Sequence, residues 1–328
     1  MESSDNPVFN SRLDLTELKE SMEAIRRSIG EWVVGQENMV DLLIVALLAD
    51  GHVLLEGVPG VAKTLTAKLV SRVVSVDFSR IQFTPDLMPS DVLGTSVFNA
   101  KTTDFEFKPG PLFANIVLVD EINRAPAKTQ ASLFEAMEER QITIDGQTYP
   151  LESPFLVVAT QNPIEQEGTY RLPEAQLDRF LFKIEVGYPT LEEETLMLER
   201  FHKRKNTVDI SALESVISAE QLQRYRQTVR EVRVEEHLVS YIANIVHQTR
   251  QHPSLYLGAS PRASLAILAG AKALATVRGR DFITPEDVQF VALPVLVHRV
   301  IITPEVEMEG RSAADVLQAI LDQVEVPR

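Results

Sequence analysis

The 328-residue chain contains no cysteine. That excludes disulfides, thiolate nucleophiles and zinc sites built on thiolates, and it fits a reducing compartment. Basic residues are in deficit: 32 Lys and Arg stand against 47 Asp and Glu, a formal net charge of −15. That balance opposes broad contact with nucleic acid or anionic membrane and leaves open only a local basic groove. Long apolar runs are missing too. The most apolar stretch, Met39 to Ala49, is interrupted by Asp41 and is too short to span a bilayer. The opening MESSDNPVFNSRLD lacks the basic and apolar blocks of a secretory leader. These absences predict a soluble, cytoplasmic protein with no membrane span. The six histidines are scattered without metal-ligand spacing, and there is no G-x-S-x-G elbow.

What is present is enough for a core: 45% of residues are hydrophobic and 24% charged. Leu15, Leu18, Met22, Ile25 and Ile29 recur at helical spacing up to Gly30, and a second apolar helix is expected from about Asn38 to Ala49. Three apolar runs read as buried strands: HVLLEG at 52–57, NIVLVDE at 115–121 and PFLVVATQNP at 154–163. Helical patterns at Thr64–Val74 and Thr129–Arg140 lie between them. Continuous apolar strands alternating with helices predict an α/β fold, a parallel sheet covered on both faces. Two inserts interrupt the rhythm, a polar-tipped segment at 96–110 and QITIDGQTYPL at 141–151, whose Asp145-Gly146 suits a type I′ hairpin turn. After Pro189 the pattern becomes helical, opening on the capping box Thr190-Leu191-Glu192-Glu193. The expected organisation is an N-terminal helix (1–30), an αβα core (31–189) and an all-α domain (190–328).

The strand HVLLEG runs directly into GVPGVAKT, residues 57–64, and then a helix. This is the setting of a phosphate-binding loop, in which successive backbone N–H groups and a helix N-terminus converge on an anion. Gly57, Val58, Pro59, Gly60, Val61 and Ala62 would form the cradle, with Leu65 in the first turn beyond it. Lys63 would reach the β- and γ-phosphates, and Thr64 would place its hydroxyl on Mg²⁺. The motif's second glycine is replaced by Ala62. A methyl group is tolerable there if φ is negative, so a working loop with negative φ at Ala62 is expected.

The strand NIVLVDE ends in two carboxylates at the sheet's carboxyl edge, where open α/β folds place ligands. Asp120 suits Mg²⁺, and Glu121 suits polarising a water. After LVVATQNP, Thr160 and Asn162 could orient that water or bond a phosphate, although Asn-Pro is equally a turn. Arg179 in LPEAQLDRF could stabilise charge on a phosphate of a neighbouring subunit. From the residues alone, a surface Asp178–Arg179 pair is the plainer reading. In GASPRASL, Ser260 is an N-cap and Pro261 suits the first helical position. That leaves Arg262 in a first turn whose dipole disfavours a cation, which hints at a phosphate. HKRKN at 202–206 reads as the basic end of a helix, and His237 and His247 as surface residues.

The order of these parts resembles the MoxR family of AAA+ ATPases, in the helix-2-insert clade with magnesium-chelatase ATPase subunits and MCM helicases. FTPDLMPSD, KPGPLF, VDEINRAPAKTQASLFEAMEE, VVATQNPIEQEGTYRLPEAQLDRF and GASPRA carry the match with GVPGVAKT, whose alanine is usual in that family. The resemblance covers about residues 12–310. It implies Walker A at Lys63 and Thr64, Walker B at Asp120 and Glu121, sensor 1 at Asn162, an arginine finger acting in trans at Arg179 and sensor 2 at Arg262. It further implies a helix-2 insert at 96–107, a pre-sensor-1 hairpin at 141–151 and Val34 and Gly35 beside the adenine. A chaperone-like ATP hydrolase using ATP/ADP and Mg²⁺ is then expected, with ATP held between the core and the helical domain. So are a homo-oligomer, a hexameric ring in ATP, and a von Willebrand factor A-domain partner. A nucleic-acid translocase is the alternative within the clade, but the 141–151 hairpin has no Lys or Arg to track phosphates. A nucleotide-gated, non-hydrolysing scaffold is a further alternative, and no N-K-x-D motif points to GTP.

Overall fold

The computed structural model describes residues 13–58, 60–101, 103–162, 170, 172–205, 210 and 213–327. The spaced apolar residues Leu18, Met22, Ile25 and Ile29 form the buried stripe of α1 (Thr16–Gly30). In α2 (Glu37–Leu48) Met39, Val40 and every residue from Leu42 to Leu48 are buried, so this helix lies inside the molecule. It leads into β1 (His52–Gly57), then α3 (Lys63–Val73), β2 (Phe78–Gln82) and α4 (Pro89–Leu93). A hairpin follows, β3 (Gly94–Asn99) and β4 (Asp104–Pro109), and then β5 (Ile116–Asp120), α5 (Ala127–Glu139), a second hairpin of β6 (Gln141–Ile144) and β7 (Gln147–Pro150), β8 (Leu156–Gln161), α6 (Glu174–Leu177) and β9 (Phe180–Val186).

Among the described residues, five of these strands form a sheet in the order β2-β5-β8-β1-β9, all parallel. β1 sits between β8 and β9, and the chain leaving it crosses to β2 at the far edge. This reversal opens a crevice at the carboxyl end of β1. The strands β2 and β9 are not evident in the apolar pattern. β2 buries only Ile81, and β9 carries Lys183, whose ammonium pairs with Glu56 of β1 at 2.9 Å.

The first hairpin spans Gly94–Pro109, slightly beyond the expected 96–107 insert, because Gly94 at φ +106 starts the ladder against Pro109. In the second, Asp145 (φ 52) and Gly146 (φ 78) make the expected turn. The two hairpins are joined: Ser96 Oγ donates to Asp145 Oδ2 at 2.7 Å, and Phe107 stacks on Tyr149 with ring centroids 4.3 Å apart.

The remainder is helical: α7 (Leu191–Lys203), α8 (Ala219–Arg230), α9 (Glu236–Gln251), α10 (Pro261–Val277), α11 (Pro285–Leu296), α12 (Pro304–Met308) and α13 (Ala313–Gln323), with β10 (Leu255–Leu257) paired antiparallel to β11 (Ile301–Ile302). Thr190 and Glu193 cap α7 reciprocally. One apolar core runs from α1, α2 and one sheet face into α8 to α11 and α13, while the other face packs on α5 and the second hairpin. Each fully buried Leu or Ile in it contributes about 1.5–3 kcal/mol. Buried Arg226 of α8 donates to Leu47 O at 2.9 Å and pairs with Asp50 at 2.8 Å, which fastens the helical region to α2.

His52, at the start of β1, accepts from Val157 N–H at Nδ1 and pairs through Nε2 with Met137 O at 3.2 Å. The imidazole is therefore neutral, and burial, aided by nearby Arg140, lowers its pKa to about 3. In the unfolded chain it titrates near 6.5. The stability from keeping it neutral is fully present above that value and is lost as pH falls towards 3. Between pH 7.5 and 5.5 this one group costs the fold about 1.4 kcal/mol. Urea unfolding of His52→Gln should show that much less loss over this interval than the unsubstituted protein, and an identical loss would contradict the assignment.

Candidate active site

The carboxyl edge of the sheet collects the chemistry. Ladder register sets Leu55 beside Thr160 and Val119 beside Ala159, so Gly57 and Asn162 leave neighbouring strands at the same level and Asp120 sits level with Thr160, two residues before them. Gly57 needs its hydrogen side chain because a Cβ there would collide with the carbonyl oxygen of Val186 in β9. Lys63 begins α3 and folds back to donate from Nζ to Gly57 O at 2.6 Å. Burial lowers its pKa, opposed by the charges of Asp120, Glu121 and Glu56, so its ammonium lies within the field of both carboxylates. Thr64 follows on the same first turn. Pro59 lies outside the described residues.

Ala62 corrects an expectation. It is in the left-handed region, φ 59 and ψ 15, not at negative φ. The loop thus keeps the backbone that a glycine would adopt freely, and alanine adopts it at a cost of about 1–2 kcal/mol. Glu121 is held the same way, φ 56 and ψ 53, with its N–H donating to Thr160 Oγ1 at 3.0 Å. Two non-glycine residues in this region within one crevice mark a place where surrounding contacts impose the geometry.

Asp120 is buried, and its carboxylate accepts from Thr160 Oγ1 at 3.2 Å and from Arg80 Nε at 2.6 Å. Glu121 accepts from Gln82 Nε2 at 2.7 Å and pairs with Arg124 at 3.2 Å. Arg80 and Gln82 were missed in the sequence because the strand carrying them was missed. Their i,i+2 spacing in FSRIQF was the available signal. The oxygen donors of Asp120 and Thr64 suit Mg²⁺, which takes one or two protein oxygens and completes its shell with phosphates and water. Among the described residues no cluster of three or more His, Asp or Glu forms an all-protein cage.

Beside the loop lies a cleft of about 420 Å³, walled by residues 31–34 and 36, by Gly60, Val61, Ala62 and Leu65, and by α7. Its lining is apolar at Val33, Val34, Val61, Leu65, Met197 and Phe201. Gly35, at φ +74, packs against Glu193, where a Cβ would come within 2.7 Å of its carboxyl carbon. Arg200 and Arg204 of α7 and its C-cap donate to Glu31 O at 3.2 and 2.9 Å, and the Arg204 guanidinium stacks 3.9 Å from the Trp32 ring. The α7 residues were not foreseen. Arg204 belongs to the HKRKN segment, which does end a helix but also closes this cleft.

The two remaining arginines are elsewhere. Arg179 immediately precedes β9, whose first residue, Phe180, pairs with His52 at the start of β1. Arg179 therefore lies at the amino edge of the sheet, and the six steps along β9 at about 3.3 Å each put it roughly 20 Å from the carboxyl edge. Its Nη1 pairs with Glu138 at 2.5 Å and donates to Phe134 O at 2.7 Å. Arg262, expected to serve this chain's own phosphate loop, is instead at the same place, pairing with Glu138 at 3.0 Å. The reason is connectivity: α10 begins where Ser260 bonds Asp178 at 3.0 Å, next to Arg179.

Residues 52–182 match the ATPase family associated with various cellular activities (AAA), and residues 247–320 match the AAA lid domain. The chain is similar to uncharacterized protein YeaC of Bacillus subtilis, 49% identical over 91% of this chain and 92% of that one. It is similar to chaperone MoxR1 of Mycobacterium tuberculosis, 47% identical over 90% of this chain and 80% of the relative. A crystal structure of an ATPase candidate from Cytophaga hutchinsonii superposes with a TM-score of 0.88 at 41% identity, covering 96% of this chain and 97% of that one. Because Ala62 holds left-handed backbone, Ala62→Gly should leave the melting temperature unchanged or raise stability by up to about 1 kcal/mol. A thermal melt showing clear destabilisation would refute it.

Proposed function

Because the chain belongs to the MoxR family of AAA+ ATPases, we propose that it hydrolyses ATP with Mg²⁺ and uses the cycle to remodel or activate partner proteins. One observation carries this reading. Lys63, Asp120, Glu121 and Asn162 sit on adjacent strand ends at one sheet edge, next to an apolar cleft beside Val34. The division into an N-terminal helix, a core to residue 189 and a helical domain beyond belongs to the same proposal.

Adenine enters the cleft against Val34, Val61 and Phe201. The backbone N–H groups of residues 60–64 cradle the phosphates, and Lys63 neutralises the β- and γ-phosphate charge. Thr64 and Asp120 would hold Mg²⁺, which would supply positive charge against the charge developing on the phosphates. Glu121 takes up the proton of the attacking water, and Asn162 fixes that water's orientation. Arg80, Gln82 and Arg124 hold the two carboxylates in place. With Arg179 and Arg262 at the opposite sheet edge, they serve the ATP of a neighbouring copy. Each subunit then offers one edge to the next, a head-to-tail contact that closes as a ring, expected to be a hexamer. A von Willebrand factor A-domain protein is the partner class that the family resemblance suggests. The translocase reading is disfavoured by the exposed Phe98 and Phe105 on the first hairpin and the absence of basic residues at the second.

Glu121→Gln should bind ATP as tightly as the unsubstituted protein, by calorimetry, while turnover falls about 10²-fold or more. Undiminished phosphate release would remove Glu121 from its role. Arg179→Ala and Lys63→Ala should each be inactive alone and regain part of the turnover when mixed. No recovery at any ratio would count against action between subunits.

A further inference from the structure

We propose that Glu138 is a positioning residue that clamps Arg179 and Arg262 into a single two-guanidinium unit for the neighbouring subunit's γ-phosphate. The inference rests on the reading that these arginines act between subunits, and it adds the group that assembles them.

Glu138 and Arg262 are each placed against local preference. Glu138 lies in the last turn of α5, at the negative end of that helix, and Arg262 lies in the first turn of α10, at the positive end of that one. Each placement opposes the dipole of its own helix. Both are offset only because the two charges meet. One carboxylate oxygen takes Arg179 at 2.5 Å and the other takes Arg262 at 3.0 Å, so a single carboxylate joins a core arginine to one from the helical region. Two guanidiniums brought this close repel each other, and the carboxylate between them removes that repulsion.

A buried layer beneath fixes the backbones that carry the pair. Arg299, only 8% exposed, donates from Nε to Asp178 Oδ1 at 2.6 Å and from Nη2 to Asp178 O at 3.0 Å and Phe180 O at 2.7 Å. The other carboxylate oxygen of Asp178 accepts from Ser260 Oγ at 3.0 Å. Asp178 is next to Arg179 in the chain, and Ser260 is two residues before Arg262. The lower layer therefore sets where the two arginines start, and Glu138 sets where their guanidiniums end. An ordinary surface ion pair needs neither layer. Arg179 is also tied through the same Nη1 to Phe134 O at 2.7 Å, and its Nε is buried.

The test is steady-state ATPase activity of Glu138→Gln beside Arg179→Ala and Arg262→Ala, with nucleotide affinity measured by calorimetry. Glu138→Gln keeps size and removes charge. It should lower kcat about 10- to 100-fold, the scale of a misplaced catalytic group, with ATP affinity and melting temperature close to those of the unsubstituted protein. Added to Arg262→Ala, it should cost less than the product of the two single effects. Mixed with Lys63→Ala subunits, which bring an intact arginine pair but no working loop, Glu138→Gln should regain turnover. If Arg179→Ala abolishes turnover while Glu138→Gln matches the unsubstituted protein, this inference fails and the reading beneath it stands. If Arg179→Ala itself turns over normally, both fall.

Discussion

The parallel direction of the sheet is the constraint on which the rest depends. Parallel strands all end at the same edge, so the loop after β1, the carboxylates after β5 and the asparagine after β8 meet without any long-range device. The same geometry puts everything that precedes a strand at the other edge. Arg179 precedes β9 and is therefore held away from its own chain's phosphate loop by the length of a strand. That separation follows from strand polarity, before any particular side-chain contact is considered.

Within this frame two residues of the crevice hold left-handed backbone, as do six non-glycine residues elsewhere among those described. Ala62 and Glu121 both occupy the left-handed region, each at a cost on the order of 1–3 kcal/mol. Thr160 receives the Glu121 N–H and donates its own hydrogen to Asp120, so one hydroxyl fixes both acidic residues. The cost is offset by the apolar packing of β1, β5 and β8, whose inward residues are almost fully buried.

Much of this was legible in the sequence. Apolar runs bounded by turn residues give β1, β5 and β8 closely, and Asp145-Gly146 gives the second hairpin. The strands at the sheet's two edges were not, because β2 buries one residue and β9 neutralises Lys183 with a neighbour that the linear pattern does not reveal. Ala62 was misjudged for a local reason: residue type biases φ, but the turn from the loop into α3 takes the left-handed conformation there. Arg262 was recognised as out of place at a helix start, which is correct. The destination of its charge was missed, since Glu138 reads as one acid among several in FEAMEER. Contacts between distant segments, such as α7 against residues 31–36, leave only compositional traces, here a lone tryptophan and a basic run.

The joined hairpins have a mechanical corollary. Ser96 bonded to Asp145 and Phe107 stacked on Tyr149 turn two slender ribbons into one lever. Its free end carries the exposed rings of Phe98 and Phe105. Its fulcrum is Arg140, which links α5 to β6 and grips Asp50 O and Phe155 O, one at the end of α2 and the other just before β8. Arg140 thereby ties the base of the joined hairpins to the start of β8, the strand that carries Thr160.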